Sequence, residues 1–258
     1  MNIMVTNDDG INSRGLQALV SELQKIGRVT VVVPDSERSA IGTAVSLFQP
    51  LKLKEVSSVV SEVTTYTIDG TPADCVILAL GKLIEERVDT VISGINNGSN
   101  MGEDVYISGT VGAALQGYFR GSTAIAISAP RNSTAGLVTA AKVTTLLAQH
   151  LNVSPLPTRL FLNVNTPDLP VTEIAGIRIT RLARTSHINT VEENNHGEQK
   201  QYNLIRQQIV DSGKKGTDIY CKEHGYVSIT PLFTSLFDRP PRRLLNDLCT
   251  HVLQTLQN

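Results

Sequence analysis

Short apolar runs that alternate with helical patterns constrain this chain more than any other feature. Val29 to Val33 is an unbroken run of β-branched residues. A strand of that composition is at home only where both of its faces are covered, as in a parallel sheet between helices. Ahead of it lies a strand-like segment, Asn2 to Thr6, and then Gly15 to Ile26. In that second segment Leu16, Leu19, Val20, Leu23 and Ile26 fall on one helical face. Strands are predicted again at Ala44 to Leu53, Tyr66 to Ile68, Thr90 to Ser93, Ala124 to Ser128 and Arg159 to Val164. Helices are predicted at Thr71 to Ile84, Thr110 to Arg120 and Ala135 to His150. The Thr71 helix has a cap at Thr71, Pro72 in its first turn and Asp74 to complete a capping box. The fold class that follows is α/β, a Rossmann-like three-layer architecture around a mainly parallel sheet.

The last third reads differently. A strand is expected at Ile177 to Leu182, and then a polar stretch, Arg184 to Gly216, is either a loop or an extended hairpin arm. Strand Tyr226 to Thr230 precedes a terminal amphipathic helix, Arg242 to Leu256. Arm and helix serve oligomerisation or pack on their own domain; the sequence leaves both open. Residues 1–258 are read as a single domain, with an α/β core over 1–170 and a C-terminal extension over 171–258.

A formal net charge of -1, no Trp and no basic run with interleaved aromatics argue against a nucleic-acid duplex as partner. No apolar stretch reaches membrane-spanning length, and no signal peptide is visible. Cys75, Cys221 and Cys249 are odd in number and lack CxxC spacing. The expected setting is a reducing cytoplasm.

Chemistry concentrates where predicted strands end. The first strand runs into Asn7-Asp8-Asp9-Gly10. Adjacent carboxylates repel each other, and a hard divalent cation relieves that repulsion through oxygen ligands. A solvated turn is the competing reading, because Asp and Gly are common turn residues. Two further loops, Pro34 to Ser39 and Ser93 to Asn100, would reach the same sheet edge if the strands are parallel. Together the three loops offer carboxylates, a hydroxyl and a carboxamide, a set suited to Mg²⁺ or Mn²⁺. They contain no His. Ser108-Gly109-Thr110 opens a helix beyond the third loop. Helix starts are anion sites, although Ser and Thr also serve there simply as caps. A cation beside an anion pocket points to phosphoester hydrolysis. Neither GxxxxGK[ST] nor a GxGxxG after the first strand is present.

The same motifs carry a family resemblance. Asn7-Asp8-Asp9-Gly10, Pro34-Asp35 with Arg38-Ser39, Asp69 to Val76, Ser93-Gly94-Ile95-Asn96, Ser108-Gly109-Thr110-Val111, Asn163-Val164-Asn165, Gly216-Thr217-Asp218 and Gly225 to Leu232 occur in order. In these the chain resembles the survival protein E (SurE) family of metal-dependent 5′/3′-nucleotidases. The resemblance implies one divalent metal ion held by Asp8, Asp9, Ser39 and Asn96. It implies phosphate-side groups at Asn100, Ser108, Gly109 and Thr110, and a homodimer or homotetramer built with the C-terminal extension. The implied activity is hydrolysis of nucleoside 5′-monophosphates, with 3′-monophosphates and short polyphosphate as further substrates. The expected nucleophile is metal-activated water, oriented or deprotonated by Asp8 or Asp9. An aspartyl nucleophile is the competing chemistry. A non-catalytic regulatory module is the competing class.

The chain departs from the family pattern at two places. Ser39-Ala40-Ile41-Gly42 stands for the usual Ser-Gly-Ala-Ser, and Ser13-Arg14-Gly15 for Ala-Pro-Gly. Arg14 either adds charge near the site or covers the first helical turn, and the second reading is preferred. Asp104 is read as stabilising its loop, and no histidine is assigned to catalysis.

Overall fold

The computed structural model describes residues 1–58, 60–153, 159–185, 188–196, 199–206 and 213–232. Its centre is a nine-stranded sheet in the order β3-β4-β2-β1-β5-β6-β7-β11-β8. The strands are β1 (Asn2–Thr6), β2 (Arg28–Pro34), β3 (Leu53–Glu55), β4 (Thr64–Ile68), β5 (Thr90–Asn97), β6 (Thr123–Ala129), β7 (Phe161–Asn165), β8 (Gly176–Ile179) and β11 (Tyr226–Pro231). Between the last two in sequence, β9 (Ile188–His196) and β10 (Gln199–Arg206) form a separate antiparallel hairpin. Strands β4, β2, β1, β5, β6 and β7 all run parallel. Strand β3 is antiparallel to β4, and β11 is antiparallel to β7.

Helices cover both faces. Helix α1 (Arg14–Leu23) packs with α4 (Thr134–Val153) on one side, and α2 (Pro72–Leu78) packs with α3 (Gly109–Phe119) on the other. Helix α5 (Asp218–Glu223) packs on β11. On the first face Leu16, Leu19 and Leu23 of α1 meet Ile3, Val5, Ile92 and Ile125 of the sheet, all 1% exposed or less. Burying a Leu or Ile of this kind stabilises the fold by about 1.5–3 kcal/mol. On the other face Met4, Val32, Ile68 and Val91 pack on Cys75, Val76 and Ala79. Gly15 is what lets α1 lie so close: a Cβ there would come within 2.1 Å of the Ile95 carbonyl oxygen.

The structure corrects three local expectations. Ala44 to Leu53 is not a strand, and only the three-residue β3 forms there. Three of its backbone groups are taken instead by side chains in the first turn of α2 and the residues just ahead of it. The Thr71 hydroxyl donates to the Ala44 carbonyl (2.7 Å), while Asp74 and Asp69 accept from the N–H groups of Ser46 and Lys52. Second, β5 does not stop at Ser93 but continues to Asn97, through a register shift between Ser93 and Asn96. A Gly that reads as a turn signal is absorbed there as a bulge. Third, the helix from Thr71 keeps its capping box but ends as an α-helix at Leu78 and continues as one π-helical turn, Ala79–Leu83. The polar stretch after Arg184 contains a hairpin, as one of the two expected forms. The predicted terminal helix, Arg242 to Leu256, lies outside the described residues.

Candidate active site at the carboxyl edge of the sheet

Because β1, β2 and β5 are adjacent and parallel, the chain after each emerges at one edge. A cavity of about 390 Å³ opens there, lined among others by Asp8, Asp9, Ser39, Asn96, Asn100 and Ser108. Six of the eight residues named from sequence therefore meet in one space. The other two, Gly109 and Thr110, lie immediately behind Asp8.

Local chemistry fixes the acid pair. After β1 the Asn7 side chain closes the turn on itself. Its Nδ2 donates to the Gly10 carbonyl (2.9 Å), and its Oδ1 accepts from the Gly10 N–H (3.2 Å). Gly10 sits at φ +83°, a left-handed conformation that glycine adopts without steric cost. The Arg38 N–H donates to the Asp8 carbonyl (2.8 Å), which ties the β2 loop to the β1 loop. Asp8, 4% exposed, turns its carboxylate to the start of α3. There the Thr110 hydroxyl donates to Asp8 Oδ1 (2.6 Å). A Cβ on Gly109 would lie 3.1 Å from Asp8 Cβ and 3.2 Å from Oδ2. The glycine thus admits the carboxylate to the positive end of the helix dipole. Asp9 Oδ2 accepts the Asn97 N–H (3.1 Å).

The remaining residues have partners of their own. Ser108 caps α3, its hydroxyl accepting from the Val111 N–H (3.1 Å). The Ser39 hydroxyl donates to Glu37 Oε1 (2.6 Å). Asn96 gives its Nδ2 to the Gly98 carbonyl (2.5 Å), leaving the carboxamide oxygen as the acceptor. Asn100 is clamped from below by β7. Asn163 and Asn165 both donate to its carbonyl, Asn165 also accepts its N–H, and its Nδ2 donates to Ser128. The Asn163-Val164-Asn165 motif therefore acts as a buried seat for the loop after β5. Ala40, where the family pattern has Gly, adopts φ +54°.

Electrostatics set this edge apart. Burial pushes the Asp8 carboxyl up to about 6 from 3.8; the Thr110 hydroxyl opposes the rise, and the Asp9 charge adds to it. Asp9 is raised as well, chiefly by burial. The Asn97 N–H opposes that shift, Glu37 adds to it, and Arg131 opposes it. Among the described residues no basic side chain forms an ion pair with either acid. Nor is any group of three or more His, Cys, Asp or Glu side chains gathered to hold a metal among them. A cation here would draw on two carboxylates plus neutral oxygens. One buried and one half-buried carboxylate, neither in an ion pair among the described residues, with a hydroxyl and a carboxamide beside them fit a hard divalent ion.

Sequence reasoning missed part of the lining. Glu37, Arg131 and Asn132 all border the cavity. Arg14 does too, with its Nη2 donating to the Thr134 hydroxyl (3.3 Å), so it does more than cover a helical turn. Arg131 and Asn132 follow β6, a fourth strand whose end reaches this edge. Their segment, Pro130-Arg131-Asn132-Ser133, reads as an ordinary turn.

This is an α/β protein with an acidic oxygen-rich cavity at the carboxyl edge of its parallel strands and a helix start behind it. The profile of the family described as Survival protein SurE matches residues 3–189, and the chain belongs to that family. It is 47% identical over 243 residues to a 5′-nucleotidase SurE of Dehalococcoides mccartyi, covering 93% of this chain and 92% of the relative. It is 40% identical over 255 residues to a 5′-nucleotidase SurE of Legionella pneumophila, covering 96% and 99%. The crystal structure of the SurE protein from Aquifex aeolicus superimposes with a TM-score of 0.80. It shares 34% identity and covers 92% of this chain and 95% of that one.

Proposed function

We propose that this chain is a metal-dependent phosphomonoesterase that hydrolyses nucleoside 5′-monophosphates to nucleoside and phosphate. Nucleoside 3′-monophosphates and short polyphosphate are proposed as secondary substrates. The observation that carries the reading is the Asp8-Asp9 pair, in no ion pair among the described residues and set against the start of α3. Relatives named 5′-nucleotidase SurE, aligned over more than nine-tenths of the chain, supply the substrate class.

Asp8, Asp9, Ser39 and Asn96 would hold one Mg²⁺ or Mn²⁺. When bound, such an ion supplies charge neutralisation at the phosphoryl group and lowers the pKa of water. The chain's own residues do the rest. Asp8 is held by Thr110 at one oxygen, and Asp9 by Asn97 at one oxygen, so each keeps a second oxygen for a ligand or a proton. Burial raises the metal-free Asp8 carboxyl to about 6, and a cation held beside it would draw it back toward the ionised form that ligation needs. Asn100, Ser108 and the Gly109 N–H lie on the phosphate side, with Thr110 acting on that side through Asp8. Preorganised donors of this kind stabilise charge that develops in the transition state.

We take residues 1–258 as one functional unit, since β11 and β8 belong to the same sheet as the site strands. A homodimer or homotetramer is proposed from the β9–β10 hairpin. Val191, Tyr202 and Leu204 share one face of it and are 58%, 58% and 75% exposed. Among the described residues no helix is long and apolar enough to cross a membrane. Buried free thiols at Cys75 and Cys221 are consistent with the proposed cytoplasmic setting.

Phosphate release from a panel tests the function: nucleoside 5′- and 3′-monophosphates, tripolyphosphate and p-nitrophenyl phosphate, with and without Mn²⁺ or Mg²⁺. Metal-dependent turnover, fastest with a 5′-monophosphate, is expected. No turnover of any phosphoester with either metal would defeat the enzyme reading. Trapping of a phospho-aspartate would replace the water mechanism by an aspartyl nucleophile.

A further inference from the structure

The charges around the cavity do not balance for the substrate it is proposed to take. Asp8, Asp9 and Glu37 border it, against Arg14 and Arg131. A phosphate monoester brings close to two negative charges at neutral pH. A divalent ion offsets only the Asp8-Asp9 pair. The arginines are the remaining side-chain cations of the lining, and they differ. Arg14 already donates to Thr134. Arg131 is exposed, forms no ion pair among the described residues, and lies close enough to Asp9 to lower its carboxyl pKa.

Its position is also fixed to the acid pair. The Asn132 N–H donates to Asn97 Oδ1 (2.8 Å), and the Asn97 N–H donates to Asp9 Oδ2 (3.1 Å). Asn132 sits at φ +59°, which turns the chain directly after Arg131. The loop after β6 is therefore registered on Asp9 through a single residue. It lies at the start of α4, on the sheet face opposite α3.

We propose that Arg131 is a substrate-contacting residue whose guanidinium takes an oxygen of the transferred phosphoryl group. It does so from the side opposite the α3 start. A planar fork of donors suits phosphate better than an ammonium does. The ester oxygens would then meet charge from both faces of the sheet. This inference rests on the phosphomonoesterase reading and adds to it a residue outside the sequence motifs that carry the resemblance.

The test uses the full chain, loaded with Mn²⁺, as wild type, Arg131→Gln and Arg131→Lys. Inorganic phosphate is the probe, followed by product inhibition and by calorimetry, and Mn²⁺ affinity is measured separately. Arg131→Gln is expected to weaken phosphate binding and to raise KM for a nucleoside 5′-monophosphate about tenfold or more. Mn²⁺ affinity should hold or tighten, because a cation near Asp9 has gone. Arg131→Lys should recover part of the loss. Phosphate affinity within about twofold of wild type in Arg131→Gln would overturn the proposal. A matched fall in phosphate and Mn²⁺ affinity would also overturn it, by making Arg131 a prop for Asp9. If wild type turns over no phosphoester, the enzyme reading fails instead, and phosphate calorimetry still decides the role of the arginine.

Discussion

The two ends of the parallel strands treat their charges in opposite ways. At the amino edge a smaller cavity, about 160 Å³, is bordered by Asn2, Arg28 and Glu86. Its charged groups are paired, Arg28 with Glu86 at 2.7 Å, and Asn2 is bonded through its N–H to Asp89 (2.8 Å) and through its side chain to the Arg87 carbonyl. At the carboxyl edge a buried Asp8 stands beside a half-buried Asp9, neither in an ion pair among the described residues, and both carboxyls are raised. The same strands, β1 and β2, contribute to both ends. One end has its charges joined in an ion pair, while the other leaves two acids with no ion pair among the described residues. That asymmetry is the physical content of a functional site.

The largest effect that would break the comparison lies at Asp8. Asp8→Asn should remove Mn²⁺ binding and cut metal-dependent phosphate release by about a thousandfold or more, in the range of losing a key electrostatic group. Circular dichroism should still report the native fold, since the substitution removes a buried charge and keeps an acceptor for Thr110. Next comes Gly109→Ala. Its Cβ would press on Asp8 at 3.1 Å, so the helix start or the carboxylate must shift by a few tenths of an ångström. Turnover should fall about ten- to a hundredfold, because misplacing a reacting group costs rate steeply. Thermal stability should drop far less.

The acid pair also predicts a pH signature. A folded carboxyl raised to about 6 holds its proton where the unfolded chain, near 3.8, has lost it. The folded state therefore binds more protons between these values, and its stability falls as pH rises through that window. For Asp8 the difference is about 3 kcal/mol in the metal-free protein. Urea melts in EDTA from pH 4 to 7.5 should show the decline, and Asp8→Asn should flatten it. A slope that is identical in the two proteins would contradict the burial account. The smallest effect belongs to the amino edge. Arg28→Gln removes an exposed pair and should change stability by less than about 1 kcal/mol, with unchanged turnover. A large loss of activity there would erase the contrast between the ends.

What could be read from sequence follows the range of the interactions involved. The α/β alternation, the Thr71 capping box and the Asn7-Asp8-Asp9-Gly10 turn are local. Each leaves its signature within a few residues. The convergence of Asp8, Ser39 and Asn96 followed from strand ends once the strands are parallel. The Asn97 bridge between Asp9 and Asn132 joins residues 88 and 35 positions apart, so no local pattern marks it. Arg131 was missed for the same reason. Its turn looks like any other until β6 is placed beside β5. The family resemblance puts Thr110 on the phosphate side, and its hydroxyl reaches Asp8 across 102 residues of sequence, a contact no local pattern marks. The Ala44 to Leu53 segment looked like a strand because its residues suit one. Side chains at the start of α2 and just ahead of it instead bond three of its backbone groups, at Ala44, Ser46 and Lys52.

Calorimetric titration of Mn²⁺ into EDTA-stripped wild type and Asp8→Asn, with phosphate release followed in the same samples, tests the central claim most directly. The account predicts about one ion per chain in wild type, turnover that rises with occupancy, and neither in the variant. Full turnover in metal-free wild type, or Mn²⁺ binding and activity retained in Asp8→Asn, would contradict it.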